Sequence, residues 1–139
     1  MTHDAYSTKR VTVWPQEKDN QAGYAIKYAD GYLSWCPDAV YERDYQPIDK
    51  MSFGHALHAL KAGHRVARAG WNGKGMFLFL VPGSRFTVNR APLLGIYPEG
   101  TQIDYHPHID MKTAQGYVVP WLASQSDMLA DDWQIVEAA

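Results

Sequence analysis

The 139-residue chain has little cysteine, no long apolar run and almost no excess charge. Its single cysteine, Cys36, excludes an internal disulfide and a zinc site built from several thiolates. Nowhere do about eighteen consecutive apolar residues occur, and residues 1–10 lack the apolar core of a secretion signal. A net charge of −2 disfavours a nucleic acid polymer as partner, because such binding needs many Lys and Arg contacts. These absences predict a cytosolic protein with neither membranes nor nucleic acid polymers as partners.

The residues that are present indicate a folded protein with two parts. Apolar residues make up 46% of the chain and charged residues 20%, which is typical of a globular domain and unlike a disordered chain. No internal repeat or low-complexity tract interrupts it. A proline among polar and charged residues at 46–50 indicates a boundary. We therefore predict an N-terminal module at residues 1–49 and a ligand-binding domain at residues 50–139.

The N-terminal module is predicted to be a β-hairpin followed by a short helix, a ββ(α) unit, and residues 11–14 before it are predicted to form a short strand. Apolar and aromatic residues at 24–28 and 32–35 flank Asp30 and Gly31, a pair typical of hairpin turns. Pro37 suits the first turn of a helix over residues 38–45, which needs Val40 and Tyr41 to pack on the sheet because it is short.

The second domain begins with a helix predicted by Ser52 as cap, apolar residues at helical spacing and Gly63 as stop signal. Strands at 66–69 and 76–81 follow, and the continuous apolar run at 76–79 in the second indicates a buried strand. They are joined by a loop in which Asn72-Gly73 suits positive φ. Residues 82–107 lack periodicity and predict a long surface excursion. Strands at 109–112 and 117–121, a helix capped by Ser126 and a strand at 133–136 complete an α+β fold. In this predicted fold, the N-terminal helix of the domain packs on an antiparallel β-sheet.

The loop at residues 70–75 is the best candidate for ligand chemistry. Trp71 offers a face on which a base can stack, Asn72 can donate and accept hydrogen bonds, and Lys74 can meet a phosphate. The glycines match neither the dinucleotide fingerprint nor a phosphate-binding loop. The residues alone therefore favour a hairpin turn with a core tryptophan over a binding site by roughly two to one.

Other polar residues suggest weaker alternatives. His55 with His58, and His106 with His108, have spacings that could suit a metal, but solvated or packed histidines are the commoner outcome. No local pattern of a hydrolase supports acid or base roles for the aspartates at 110, 127, 131 and 132. Arg65 and Arg68 could hold a diphosphate, but a solvated strand face is favoured. We expect no catalytic residue, no cofactor and no metal.

Four ordered segments of the second domain resemble the second type of phage Thoeris anti-defence proteins. They are MSFGHAL at 51–57, ARAGWNGKGMFL at 67–78, PHIDMKTA at 107–114 and VPWLASQSDMLADDW at 119–133. Two features depart from compact members of that family: the N-terminal module and the long segment at 84–105.

The resemblance implies a non-enzymatic sponge of the host bacterial cytoplasm. Such proteins bind glycocyclic ADP-ribose signals made by TIR enzymes, without cleaving them, in pockets between the subunits of a homotetramer. Cyclic dinucleotides such as cyclic di-GMP are the alternative ligands. A phosphodiesterase-like enzyme or a structural phage protein are further alternatives. Transferred to this chain, the implied ligand-binding residues are Trp71, Asn72, Lys74, Met76, Asp110, Thr113, Gln125, Ser126 and Asp127.

Overall fold

A computed structural model describes residues 1–137 and divides the chain into two compact units, residues 1–50 and the residues from Met51 onward. The predicted boundary at residues 49–50 lies beside this division. Helices and antiparallel strands are mixed in the chain, as predicted for an α+β protein. Among the described residues, no helix has both the length and the apolar content needed to cross a bilayer. That the two units act as separate domains stays a prediction.

The N-terminal unit is a three-stranded antiparallel sheet with one short helix. Its elements are β1 (Thr12–Pro15), β2 (Gly23–Lys27), β3 (Leu33–Pro37) and α1 (Asp38–Asp44), and the sheet order is β1-β2-β3. The β2–β3 hairpin forms where Asp30 and Gly31 predicted it, since Gly31 has a φ of 90° and the Asp30 carboxylate accepts the Tyr32 N–H. Tyr41 of α1 stacks on Tyr24 of β2 with ring centroids 3.9 Å apart. Stacking thus supplies the support that so short a helix needs.

The second unit is a five-stranded antiparallel sheet with one main helix. Its elements are α2 (Phe53–Lys61), β4 (Arg65–Arg68), β5 (Phe77–Val81), β6 (Ser84–Thr87), β7 (Gln102–Tyr105), β8 (His108–Lys112), β9 (Val118–Pro120), α3 (Gln125–Met128) and β10 (Trp133–Val136). The sheet order is β10-β4-β5-β8-β9, and β6 pairs with β7 in a separate hairpin. Gly63 ends α2 with a φ of 94°, as predicted, whereas the Ser52 side chain makes no capping hydrogen bond.

The core of this unit lies between α2 and one face of the sheet. Trp133, Leu60, Val66 and Leu78 are fully buried there. The prediction that residues 76–79 form a continuously buried run is wrong, because α2 covers only one face of the sheet and successive side chains point to opposite faces. Phe77 is therefore only half-buried, with the Arg65 guanidinium carbon 4.9 Å from its ring centroid.

The segment at 82–107 is mostly exposed, as predicted for a surface excursion, but it contains the β6–β7 hairpin, and Val88 beyond β6 is completely buried. One further local prediction is wrong. The cap of α3 is Ser124 and not Ser126, since the Ser124 hydroxyl accepts the Asp127 N–H at 3.0 Å. Ser126 lies inside that one-turn helix.

Candidate functional site

The loop joining β4 to β5 (residues 69–76) and the turn joining β8 to β9 (residues 113–117) lie at the same end of the sheet. Antiparallel pairing requires this, because β4 and β8 end where β5 and β9 begin. The Lys112 ammonium donates to the Gly75 carbonyl at 3.0 Å, which ties the two connections together. A Cβ placed on Gly73 would lie 2.9 Å from the Ala114 Cβ, so the backbones approach closely. The positive φ of the loop falls at Gly75 and not at Asn72-Gly73 as predicted.

Arg68, the last residue of β4, joins the loop to the chain segment around α3. Its guanidinium forms ion pairs with Asp127 and with Asp132, each at 2.8 Å. The prediction that Arg68 lies on a solvated strand face is wrong, because its side chain is 21% exposed and both carboxylates cover it. Opposite charges 59 and 64 residues apart in the chain are thus brought together by the pairing of β10 with β4.

Trp71 is fixed by the same carboxylates. Its indole N–H donates to the Asp127 carboxylate at 3.2 Å, and its ring meets that of Trp133 edge-on with centroids 5.4 Å apart. The neighbouring Gly70 N–H donates to the Asp132 carboxylate at 2.8 Å. Trp71 packs against the core while remaining half-exposed. The turn and the ligand-binding interpretations of this loop are therefore compatible, since one ring can pack on the core and still present surface to solvent.

The charges of this cluster reinforce one another. Burial opposes ionisation of Asp127, but hydrogen bonds from Arg68 and Trp71 outweigh it and hold the pKa of Asp127 below its ordinary value. The hydrogen bond from Arg68 is the largest influence lowering the pKa of Asp132, and the Gly70 N–H adds to it. Both carboxylates are consequently ionised at neutral pH, and because one guanidinium offsets only one of the two negative charges, the cluster as a whole is anionic.

The other predicted ligand-binding residues lie at different places relative to the cluster of Arg68, Asp127 and Asp132. Asn72 and Lys74 are exposed in the 69–76 loop, and half-buried Met76 closes it. The Thr113 hydroxyl accepts the Tyr117 N–H at 3.0 Å, so it stabilises the facing turn. These positions give the loop end exposed polar groups beside a fixed aromatic ring.

Three predicted residues have less connection with the loop. Asp110 lies within β8, opposite Phe79 of β5, with its carboxylate 3.5 Å from the His108 ring nitrogen. Gln125 and Ser126 are exposed in α3, the helix that supplies Asp127. Of the predicted set, the structure therefore brings Trp71 and Asp127 into direct contact. A ligand role for each member stays a prediction.

Four residues hold this site together: Arg68, Ser124, Asp132 and Trp133. Sequence reasoning did not name Ser124 or Trp133 for the site, and it considered Arg68 and Asp132 only for other roles. The Trp133 indole N–H donates to the Asp127 backbone carbonyl at 2.9 Å, and Trp133 is completely buried. Ser124 could have been found, because a serine three residues before an acidic residue is the signature of a helix start. The ion pairs of Arg68 leave no such local pattern.

A shallow apolar groove of about 450 Å³ lies elsewhere on the second unit. It is lined mainly by α2 and by residues near β8 and β9, including Phe53, Leu57, Ile109 and Trp121. None of the predicted ligand-binding residues lines it. Within residues 1–137, no group of three or more His, Cys, Asp or Glu side chains is arranged to hold a metal ion.

Comparison of the amino-acid sequence with known proteins assigns the second unit to a family. The sequence pattern of the Thoeris anti-defense 2-like domain matches residues 51–136. The chain belongs to the Thoeris anti-defense 2-like family. A protein of Bacillus phage SP01 described as Thoeris anti-defense 2 is 44% identical over 87 residues, which are 63% of this chain and 96% of that protein. The family domain thus coincides with the second unit, and it contains Arg68, Trp71, Asp127 and Asp132.

The match also assigns the two features that seemed to depart from the family. The family match runs from residue 51 to residue 136, so the segment at 84–105 lies within the family domain. The N-terminal unit lies outside the family match. It is therefore an extension relative to the phage SP01 protein.

Proposed function

We propose that this protein is a phage immune-evasion protein that sequesters glycocyclic ADP-ribose signals made by TIR enzymes, without cleaving them. In this way it blocks Thoeris defence in the host bacterial cytoplasm. The observation that carries the proposal is the fixed Trp71 ring beside exposed Asn72 and Lys74, within a domain of the Thoeris anti-defense 2-like family. A ring stacks on a base, an amide bonds to base or ribose edges, and an ammonium meets a phosphate.

Sequestration without turnover places a demand on the site. Nanomolar retention corresponds to about −12 kcal/mol, which favours an enclosed pocket that buries most of a ligand. In a single chain, Asn72 and Lys74 are exposed in the 69–76 loop, and Gln125 and Ser126 are exposed in α3. We therefore propose that a second copy of the chain encloses the ligand, in a homo-oligomer and specifically a tetramer.

Retention followed by release tests the function directly. Purified full-length protein is incubated with glycocyclic ADP-ribose, freed of unbound ligand by gel filtration, heated to denature the protein, and the released compound is identified by mass spectrometry. Recovery of intact ligand supports the proposal. Release of an altered compound would instead indicate a phosphodiesterase-like enzyme, and absence of any retained compound would favour a structural phage protein.

A parallel incubation with cyclic di-GMP identifies the ligand class. Retention of cyclic di-GMP in place of glycocyclic ADP-ribose would make the protein a sponge for cyclic dinucleotides. The matched control is Trp14→Ala, which removes an exposed tryptophan of the N-terminal unit, outside the family domain. Its retention should equal that of the wild type. Light scattering of the same samples measures the number of subunits.

A further inference from the structure

The Arg68 guanidinium is linked, through two carboxylates, to the successive residues Gly70 and Trp71 of the loop that joins β4 to β5. Arg68 holds Asp127, which accepts the indole N–H of Trp71, and it holds Asp132, which accepts the backbone N–H of Gly70. The side chain of one residue and the backbone of the residue before it are therefore fixed from the same point. A Cβ on Gly70 would lie 2.9 Å from the Asp132 carboxylate, so the backbone and this carboxylate fit closely.

The two carboxylates depend on Arg68 for their arrangement. Without the guanidinium, two negative charges that share one partner would repel each other, and neither would keep its present orientation. The Trp71 N–H would then lose its acceptor, and the ring would be held only by its packing against the core. An indole with several orientations forms a poorer stacking surface, because ordering it upon binding has an entropic cost.

We propose that Arg68 is a positioning residue for ligand binding, which orients the Trp71 ring through Asp127 and the Gly70 backbone through Asp132 without itself contacting the ligand. This inference rests on the proposed function for its ligand. The part of the inference that concerns the orientation of Trp71 in the free protein does not depend on the proposed function. The two can therefore be tested separately.

Arg68→Lys is the sharpest substitution. It keeps the positive charge, but an ammonium is a point charge and lacks the planar fork whose Nε and Nη atoms reach the two carboxylates in this structure. Arg85→Lys is the matched control, because Arg85 also bonds its aspartate, Asp104, through two nitrogens, yet that pair is exposed on the β6–β7 hairpin. Ala59→Gly in α2 serves as a second control, because it loosens the core against which Trp71 packs but leaves Arg68 and both carboxylates in place.

The first measurement concerns the free full-length protein. The indole N–H resonance of Trp71 is assigned by its loss in Trp71→Phe. In Arg68→Lys we expect this resonance to shift and its exchange with solvent to accelerate at least tenfold. In Arg85→Lys and Ala59→Gly it should stay unchanged. A Trp71 resonance that Arg68→Lys leaves at its wild-type position and exchange rate would overturn the inference, whatever the ligand proves to be.

The second measurement is calorimetric titration with glycocyclic ADP-ribose. We expect Arg68→Lys to raise Kd at least tenfold, and both controls to bind within twofold of the wild type. Wild-type affinity in Arg68→Lys would refute the positioning role. Lack of binding by the wild type would contradict the proposed function, and the indole resonance would then still decide whether Arg68 orients Trp71.

Discussion

Trp71→Ala is the perturbation that most directly separates ligand binding from folding. Stacking of a base on an aromatic side chain is worth roughly 1–3 kcal/mol, so the loss of the ring should raise Kd roughly 5-fold to 150-fold. A fully buried tryptophan costs roughly 3–5 kcal/mol when truncated to alanine. Because Trp71 is half-buried, we expect a smaller loss of about 2 kcal/mol in the free energy of unfolding.

Calorimetric titration and urea unfolding measure the two effects on the same preparation. Trp71→Phe serves as an intermediate, because it keeps an aromatic face but removes the N–H donor to Asp127. Its affinity should lie between those of the wild type and the alanine variant. A folded Trp71→Ala protein with wild-type affinity would remove Trp71 from the binding site and would refute the stacking argument.

Three predictions concern the framework of the site. Gly70→Ala should lower the free energy of unfolding by roughly 1–3 kcal/mol in urea, since the new Cβ displaces the Asp132 carboxylate; unchanged stability would contradict this close fit. Trp133→Ala should cost about 3–5 kcal/mol, because the ring is fully buried; a loss below 1 kcal/mol would contradict its central place in the core. The pKa values of Asp127 and Asp132 are lower in the folded protein than their ordinary value of 3.8. The ionised carboxylates therefore stabilise the fold at pH values above 3.8, and this stabilisation is lost as the pH falls through the folded-state pKa values. The difference in thermal midpoint between the wild type and an Asp127→Asn, Asp132→Asn double variant should therefore shrink below about pH 4, and a constant difference would refute this linkage.

The sequence predicted the elements that are specified locally. The β2–β3 hairpin follows from Asp30 and Gly31, and α2 follows from its apolar spacing and Gly63. The β6–β7 hairpin escaped prediction because its strands are four residues each, within a segment rich in turn residues. Short strands of this kind depend on pairing with a partner strand, which sequence periodicity does not reveal.

The candidate site was predictable only in part, for a related reason. Trp71 and its polar neighbours lie in one continuous loop, so composition alone drew attention to them. The support of that loop comes from Asp127 and Asp132, which approach Arg68 only after β10 pairs with β4. An arginine on a short strand is usually solvated, and only the tertiary fold identifies this one as an exception.

The charge of the cluster further limits how a phosphate-bearing ligand can lie. Two carboxylates share one guanidinium, so the surroundings of the Trp71 N–H are anionic and disfavour a diphosphate. The base should therefore stack at Trp71, with the phosphates directed toward exposed Lys74. Lys74→Ala should then weaken binding by about 1.5 kcal/mol, roughly tenfold in Kd, and reduce its dependence on salt. Lys61→Ala, at the end of α2, is the control and should bind normally. If Lys74→Ala bound with unchanged affinity and salt dependence, the phosphates would have to lie elsewhere, and the cluster would not orient the ligand by charge.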